Sequence, residues 1–246
     1  MTQRIALVTG GMGGIGSAIS ESLGAAGHKV VATYTRDGGR VEKWLNGMKD
    51  KGYEAHAVQC DVTDTDSCAA MVAKVQDEVG PIDIVVNNAG ITKDGMFRKM
   101  SKENWDAVMS TNLDSLYNVL RPVVEGMLER GYGRIVNVSS VNGQKGQVGQ
   151  VNYSAAKAGM HGFTMALAQE TAKKGITVNT VSPGYIGTDM VMAIKEEIRN
   201  QIISTIPVGR LGKPEEIGKL VAYLASDDAG YITGANIAIN GGLHMH

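Results

Sequence analysis

Seven short runs rich in valine and isoleucine, separated by longer stretches of helical period, constrain the fold of this chain more than any other feature. They are Arg4–Val8, Lys29–Thr33, Ala55–Cys60, Ile82–Val86, Arg134–Val138, Thr177–Val181 and Asn236–Ile239. β-Branched residues suit a pleated sheet, and near-continuous apolar runs belong to parallel strands buried on both faces. Parallel neighbours need a crossover, usually a helix. The intervening stretches supply it: "TDTDSCAAMVAKVQDEVG" at 63–80 carries its apolar residues on one helical stripe. Strand and helix alternating this often predict an α/β fold, a doubly wound parallel sheet of seven strands with helices on both faces. The rhythm breaks once, where "YIGTDMVMAIKEEIRNQIISTIP" at 185–207 inserts helical material before the last strand. Insertions beyond strand ends in such sheets lie over the ligand crevice, so a lid is expected at about 185–210.

No linker, repeat or low-complexity segment divides the 246 residues, and one domain over 1–246 is expected. A net charge of −1 points to neither nucleic acid nor an acidic binding arm. Cys60 and Cys68 are too few for a disulfide framework or zinc site, and the chain opens on "RIALVTGG" without a signal peptide, so a reducing cytoplasm is expected. No apolar run approaches the roughly 18 residues of a membrane span. His244 and His246 form an H-x-H without a third ligand, and no metal is expected.

The turn "VTGGMGGIG" follows the first strand and opens a helix. Glycines there let the backbone approach a pyrophosphate that the helix N-terminus holds. Gly11, Gly13 and Gly16 satisfy G-x-G-x-x-G, while Thr9, Gly10, Gly14 and Gly16 satisfy T-G-x-x-x-G-x-G. Downstream, "NYSAAKAG" at 152–159 places Tyr153 and Lys157 four apart on one helical face among small residues. An ammonium beside a phenol lowers its pKa from about 10, which makes the tyrosine a proton donor and acceptor near neutral pH.

Taken with "CDVTD" (60–64), "NNAG" (87–90), "TNL" (111–113), "VSS" (138–140) and "VSPGYIGTDM" (181–190), these motifs resemble the short-chain dehydrogenase/reductase family along essentially the whole chain. The resemblance implies a Rossmann-type sheet and resolves the glycine turn to Gly10, Gly14 and Gly16, with Ile15 between them. It implies catalytic roles for Asn112, Ser140, Tyr153 and Lys157: Tyr153 as acid, Ser140 as donor to the substrate oxygen, and Asn112 holding a water against Lys157. Ser140 also suits a helix cap. Asp61 is expected at adenine, Asn88, Ala89 and Gly90 at the adenosine ribose, Lys157 at the nicotinamide ribose, and Pro183, Gly184, Ile186 and Thr188 at the carboxamide.

The end of strand two carries Tyr34 where an acid would bind both ribose hydroxyls of NAD, and Arg36 and Arg40 follow it. Two arginines suit a 2′-phosphate, so NADPH is the expected cofactor, although either suits a solvated surface equally. Within the family the strongest resemblance is to enzymes that reduce acetoacetyl-CoA to (R)-3-hydroxybutyryl-CoA. The stretches "NNAGITKDGMFRKM", "WDAVMSTNL" and "GRIVNVSSVNGQKGQVGQVNYSAAKAGMHGFTMALAQE" carry it. The resemblance implies substrate contacts at Asp94, Ser140, Gln147, Gln150 and Tyr185, and a homotetramer built on helices around 103–129 and 152–174. Arg98 and Lys99 suit CoA phosphates or plain solvation. The alternatives are a 3-ketoacyl-carrier-protein reductase, whose motifs are nearly the same, and a dinucleotide-sensing scaffold without chemistry.

Overall fold

The apolar runs pair as one parallel sheet in the order β3-β2-β1-β4-β5-β6-β7. The computed structural model describes residues 3–245; His246, and with it the H-x-H, lies outside the described residues. The strands are β1 (Ile5–Val8), β2 (Lys29–Tyr34), β3 (Ala55–Gln59), β4 (Ile84–Asn87), β5 (Gly133–Val138), β6 (Ile176–Pro183) and β7 (Asn236–Ile239). The helices are α1 (Gly14–Ala25), α2 (Arg40–Asp50), α3 (Thr65–Glu78), α4 (Lys102–Met109), α5 (Ser115–Arg130), α6 (Val141–Lys145), α7 (Val151–Thr171), α8 (Asp189–Met192), α9 (Glu196–Ser204) and α10 (Pro214–Ala225). Among the described residues, none of these helices is long and apolar enough to cross a membrane.

Alternation along each strand divides the core in two. Ile5 and Leu7 of β1 face α3, α5 and α7, joining Met71, Val75, Val119, Leu120, Val123 and Ala168. Ala6 and Val8 face the other way, onto Ile19 and Leu23 of α1, Trp44 and Met48 of α2, and Ile217 and Val221 of α10. Each such side chain removed from water stabilises the fold by roughly 1.5–3 kcal/mol. Helices therefore cover both faces, as the alternation predicts. Gly218 lets α10 press onto α1: a Cβ there would collide with the Ala18 carbonyl.

The strand order reverses between β1 and β4, and the crevice beyond their carboxyl ends is where such sheets bind ligands. One helix expected around 103–129 is interrupted. A π-helical turn, Ser110–Asp114, separates α4 from α5 and contains the buried Asn112. Single π-turns inside α-helices are frequent at functional sites.

Candidate active site

Three consecutive residues at the end of β5 grip one face of α7. Val138 offers its carbonyl to the Lys157 Nζ at 2.8 Å. The Ser139 hydroxyl donates to the Lys157 carbonyl at 2.9 Å. The Ser140 hydroxyl lies near enough to the Tyr153 phenol to bias its ionisation. Ser140 is also the N-cap of α6, accepting from the Asn142 N–H at 3.1 Å, so the cap role and the meeting with Tyr153 coexist in one hydroxyl.

Lys157 is 3% exposed, and its Nζ lies 5.7 Å from the centre of the Tyr153 ring. Burial brings its pKa down from 10.5 to about 7. Burial also raises the Tyr153 phenol above its ordinary value; the Ser140 hydrogen bond pulls it down and the Asp94 charge adds to the rise. The sequence expectation of a phenol lowered by Lys157 is therefore corrected in this geometry. A half-buried phenol with a carboxylate nearby keeps its proton through neutral pH.

Asn112 completes the cluster. Its Nδ2 donates to the carbonyls of Val108, at 2.8 Å, and Ile91, at 2.9 Å. Its Oδ1 is buried without a protein partner. That oxygen stands 2.6 Å from where a Cβ on Gly90 would sit, and the Lys157 Nζ stands 3.5 Å from the same point. Gly90 thus leaves open a polar space between Asn112 and Lys157.

The glycine turn lies at the sheet's reversal point. Gly14 has φ +50°, which an L side chain rarely adopts, and a Cβ on Gly16 would stand 2.7 Å from the Asn88 Nδ2. Asn88 pins this turn by donating to the carbonyls of Thr9, at 3.0 Å, and Gly10, at 3.2 Å. The Thr9 hydroxyl in turn accepts from the Asn88 and Ala89 N–H groups, both at 3.0 Å. Helix α1 starts at Gly14 with no side-chain cap and no acid in its first turn, which leaves its N–H groups and dipole to an anion. The point where a Cβ on Gly14 would sit is 3.4 Å from the Thr188 methyl, so the segment after β6 borders the turn.

A cleft of about 480 Å³ continues from Gly10 and Gly13 along Thr33, Tyr34, Arg36, Asp37 and Arg40. The Asp37 Oδ1 accepts from the Val41 N–H at 3.1 Å, which engages the one carboxylate among the described residues lining the cleft at the start of α2. Asp61 follows β3, and its Oδ1 accepts from the N–H and hydroxyl of Thr63 at 2.9 and 2.7 Å. Backbone openness in the turn, an uncapped helix and two guanidinium groups in one cleft fit a dinucleotide diphosphate. Pro183 ends β6, Gly184 and Ile186 follow it, and Ile186 bridges to Gly212.

Of the residues expected at the substrate, Asp94 and Gln150 are brought together. The Gln150 Nε2 donates to the Asp94 Oδ2 at 2.9 Å, and its Oε1 accepts from the Asn142 Nδ2 at 2.9 Å. Gln147 accepts from Lys145 at 3.0 Å. Tyr185 lines a different hollow, of about 220 Å³, with Ile206, Val208 and Arg210. Arg98 and Lys99 lie on a short exposed turn.

A seven-stranded parallel sheet that presents a serine, a tyrosine–lysine pair and a buried asparagine beside its glycine turn leaves one comparison to make. Residues 10–244 match a family model described as enoyl-(acyl carrier protein) reductase. An acetoacetyl-CoA reductase of Cupriavidus necator is 59% identical over the full length of both chains. One from Allochromatium vinosum is 54% identical over 99% of each, and a 3-oxoacyl-[acyl-carrier-protein] reductase of Vibrio cholerae is 46% identical over 98% of each. The chain belongs to the short-chain dehydrogenase/reductase family. It is an oxidoreductase, and the family and its Rossmann-type fold imply a nicotinamide dinucleotide cofactor.

Several residues that build this reductase site were given no role by the motifs. A buried polar chain runs from the Asn87 Nδ2 to the Asn137 Oδ1, from the Asn137 Nδ2 to the Thr164 hydroxyl, and on to the Thr180 hydroxyl, each step 2.8 Å. It ties β4, β5, α7 and β6 together directly beneath the site. The only signal for it was polar residues inside runs otherwise written in valine and isoleucine. Ser139, the middle residue of "VSS", and His161 meet at 3.0 Å, a contact that no spacing announced.

Proposed function

We propose that this chain is an NADPH-dependent reductase of acetoacetyl-CoA, yielding (R)-3-hydroxybutyryl-CoA. The observation that carries the reading is the Ser140–Tyr153–Lys157 arrangement on β5 and α7. The acetoacetyl-CoA reductases that match along the whole chain give the substrate. When bound, the nicotinamide supplies the hydride. Ser140 donates a hydrogen bond to the ketone oxygen and stabilises the charge that develops there. Tyr153 gives its proton to that oxygen; a phenol whose pKa is raised by burial holds this proton through neutral pH. Lys157 holds the nicotinamide ribose and, with Asn112, a water that returns a proton to Tyr153.

Gly10, Gly14, Ile15 and Gly16 would hold the diphosphate, Asp61 the adenine, and Asn88, Ala89 and Gly90 the adenosine ribose. Pro183, Gly184, Ile186 and Thr188 would hold the carboxamide. Arg36 and Arg40 would take a 2′-phosphate, a reading supported by the engagement of Asp37 with Val41. Asp94, Gln147, Gln150 and Tyr185 orient the acyl group, under a lid of about 185–210 that contains α8 and α9. We read residues 1–246 as one catalytic domain working in the cytoplasm. A homotetramer is supported by an apolar hollow of about 460 Å³ between α5 and α7, lined by Tyr117, Val124, Leu128, Phe163 and Leu167.

Purified protein given NADPH and acetoacetyl-CoA should oxidise the cofactor and yield the R-alcohol by chiral analysis. Inactivity with every 3-ketoacyl thioester, despite cofactor binding, would leave the sensing scaffold. Light scattering at micromolar concentration should give a mass four times that of the monomer.

A further inference from the structure

His161 lies one turn beyond Lys157 on α7, and no role in the proposed reaction has been given to it. Its Nε2 is 3.0 Å from the Ser139 hydroxyl and 3.5 Å from the Ser182 hydroxyl. Which atom carries the proton follows from counting donors. A carbonyl only accepts, so the 2.9 Å contact between the Ser139 Oγ and the Lys157 carbonyl places the serine's single hydrogen there. The Ser182 hydroxyl is likewise engaged, donating to the Asn236 Oδ1 at 2.7 Å. Both serine oxygens therefore face the imidazole with lone pairs, and the Nε2 must donate. Ser139 is 4% exposed and Ser182 0%, so without that donor two buried oxygens lose a partner. Burial and the charge of Lys157 both lower the His161 pKa, in keeping with a neutral ring.

We propose that His161, as the neutral Nε2–H tautomer, is a positioning residue that sets Tyr153 and Lys157 against Ser140 for the reduction. The inference rests on the reading of those three residues given above. The chain of contact is short. His161 orients the Ser139 hydroxyl, and Ser139 holds the Lys157 carbonyl. Ser139 also donates its own N–H to the Val181 carbonyl of β6 at 2.8 Å. One imidazole thus clamps α7 to the ends of both β5 and β6, the strands that present Ser140 and Pro183. Small displacements of reacting groups can cost about 10²-fold in rate, so the clamp is felt in turnover more than in binding.

The test has a readout that needs no catalysis. Nitrogen-15 NMR of the protein, with H161Q as the assignment control, should show His161 protonated at Nε2 and bare at Nδ1 at neutral pH. A ring protonated at Nδ1 alone, or an imidazolium, overturns the proposal. In kinetics, H161L should lower kcat about tenfold or more and weaken NADPH binding by a smaller factor than kcat, because the clamp reaches the cofactor only at its nicotinamide end while the glycine turn and the arginine cleft lie elsewhere. H161Q, whose Nε2 can reach the same place, should recover kcat to within about threefold of wild type. Wild-type turnover in H161L, or equal loss in H161Q and H161L, overturns it. Should H161L fail to fold, S139A replaces it: it should lose turnover similarly, and adding H161Q to S139A should change nothing further, whereas unimpaired S139A refutes the clamp. A wild-type protein inactive on acetoacetyl-CoA would reject the proposed function and leave the tautomer measurement to decide this inference.

Discussion

Lys157→Met should stabilise the protein while abolishing its activity, because the folded state holds an amine that burial discourages from ionising. The pKa falls from 10.5 to about 7, and each pH unit corresponds to about 1.4 kcal/mol. At pH 7 the penalty on the folded state is then about 4 kcal/mol. Methionine gives up the 2.8 Å bond to the Val138 carbonyl, about 1 kcal/mol, so the net gain is about 3 kcal/mol. For a chain of this length that raises Tm by roughly 6–12 °C. The sign of the pH dependence is definite. Between about pH 7 and 10.5 the unfolded chain keeps the lysine proton and the folded one releases it. Wild-type stability therefore rises with pH across this window, and the variant lacks that rise. The assay is thermal unfolding of both proteins, without cofactor, at pH 7 and pH 9. The variant's advantage should shrink by about 2 kcal/mol at pH 9. A variant less stable than wild type at pH 7, or a gap that ignores pH, would refute the reasoning that Lys157 is held at a cost to stability.

Three further outcomes are expected. Tyr153→Phe should lower turnover by roughly 10²–10⁴ with NADPH affinity, read by fluorescence titration, nearly intact; retained turnover removes Tyr153 as the acid. Arg40→Ala and Arg36→Ala should raise the KM for NADPH about tenfold more than that for NADH, since only NADPH carries the 2′-phosphate; a wild-type preference for NADH contradicts the assignment of the cleft. Asn88→Ala leaves the Thr9 and Gly10 carbonyls without their donor and should weaken cofactor binding by about 1–3 kcal/mol, measured by calorimetry; unchanged affinity means the turn holds its shape without Asn88.

The sheet was legible because parallel strands buried on both faces are written almost entirely in β-branched residues. Five of the expected strands match the observed ones to within a residue at each end, Asn236–Ile239 at both. β6 runs on to Pro183, beyond the expected Val181, because Ser182 finds a partner in Asn236 and a satisfied polar residue does not end a strand. β4 begins two residues late, at Ile84, where Asp83 turns to accept from the Ile5 N–H at 3.4 Å. The site motifs were legible as spacing: Ser140, Tyr153 and Lys157 meet as their positions on β5 and α7 require. The ionisation of that cluster was not, since burial raises the Tyr153 phenol and lowers the Lys157 amine, and burial depends on the whole core around them. The π-turn at Asn112 was hidden too, because one extra residue in a helical turn leaves the apolar stripe of α4 and α5 almost unchanged.

The most direct measurement of the proposed function compares kcat/KM for acetoacetyl-CoA and for the acetoacetyl carrier protein, on purified enzyme with NADPH. The predicted result is a clear preference for acetoacetyl-CoA. A strong preference for the carrier-protein substrate would contradict it and place this chain among the 3-ketoacyl-carrier-protein reductases.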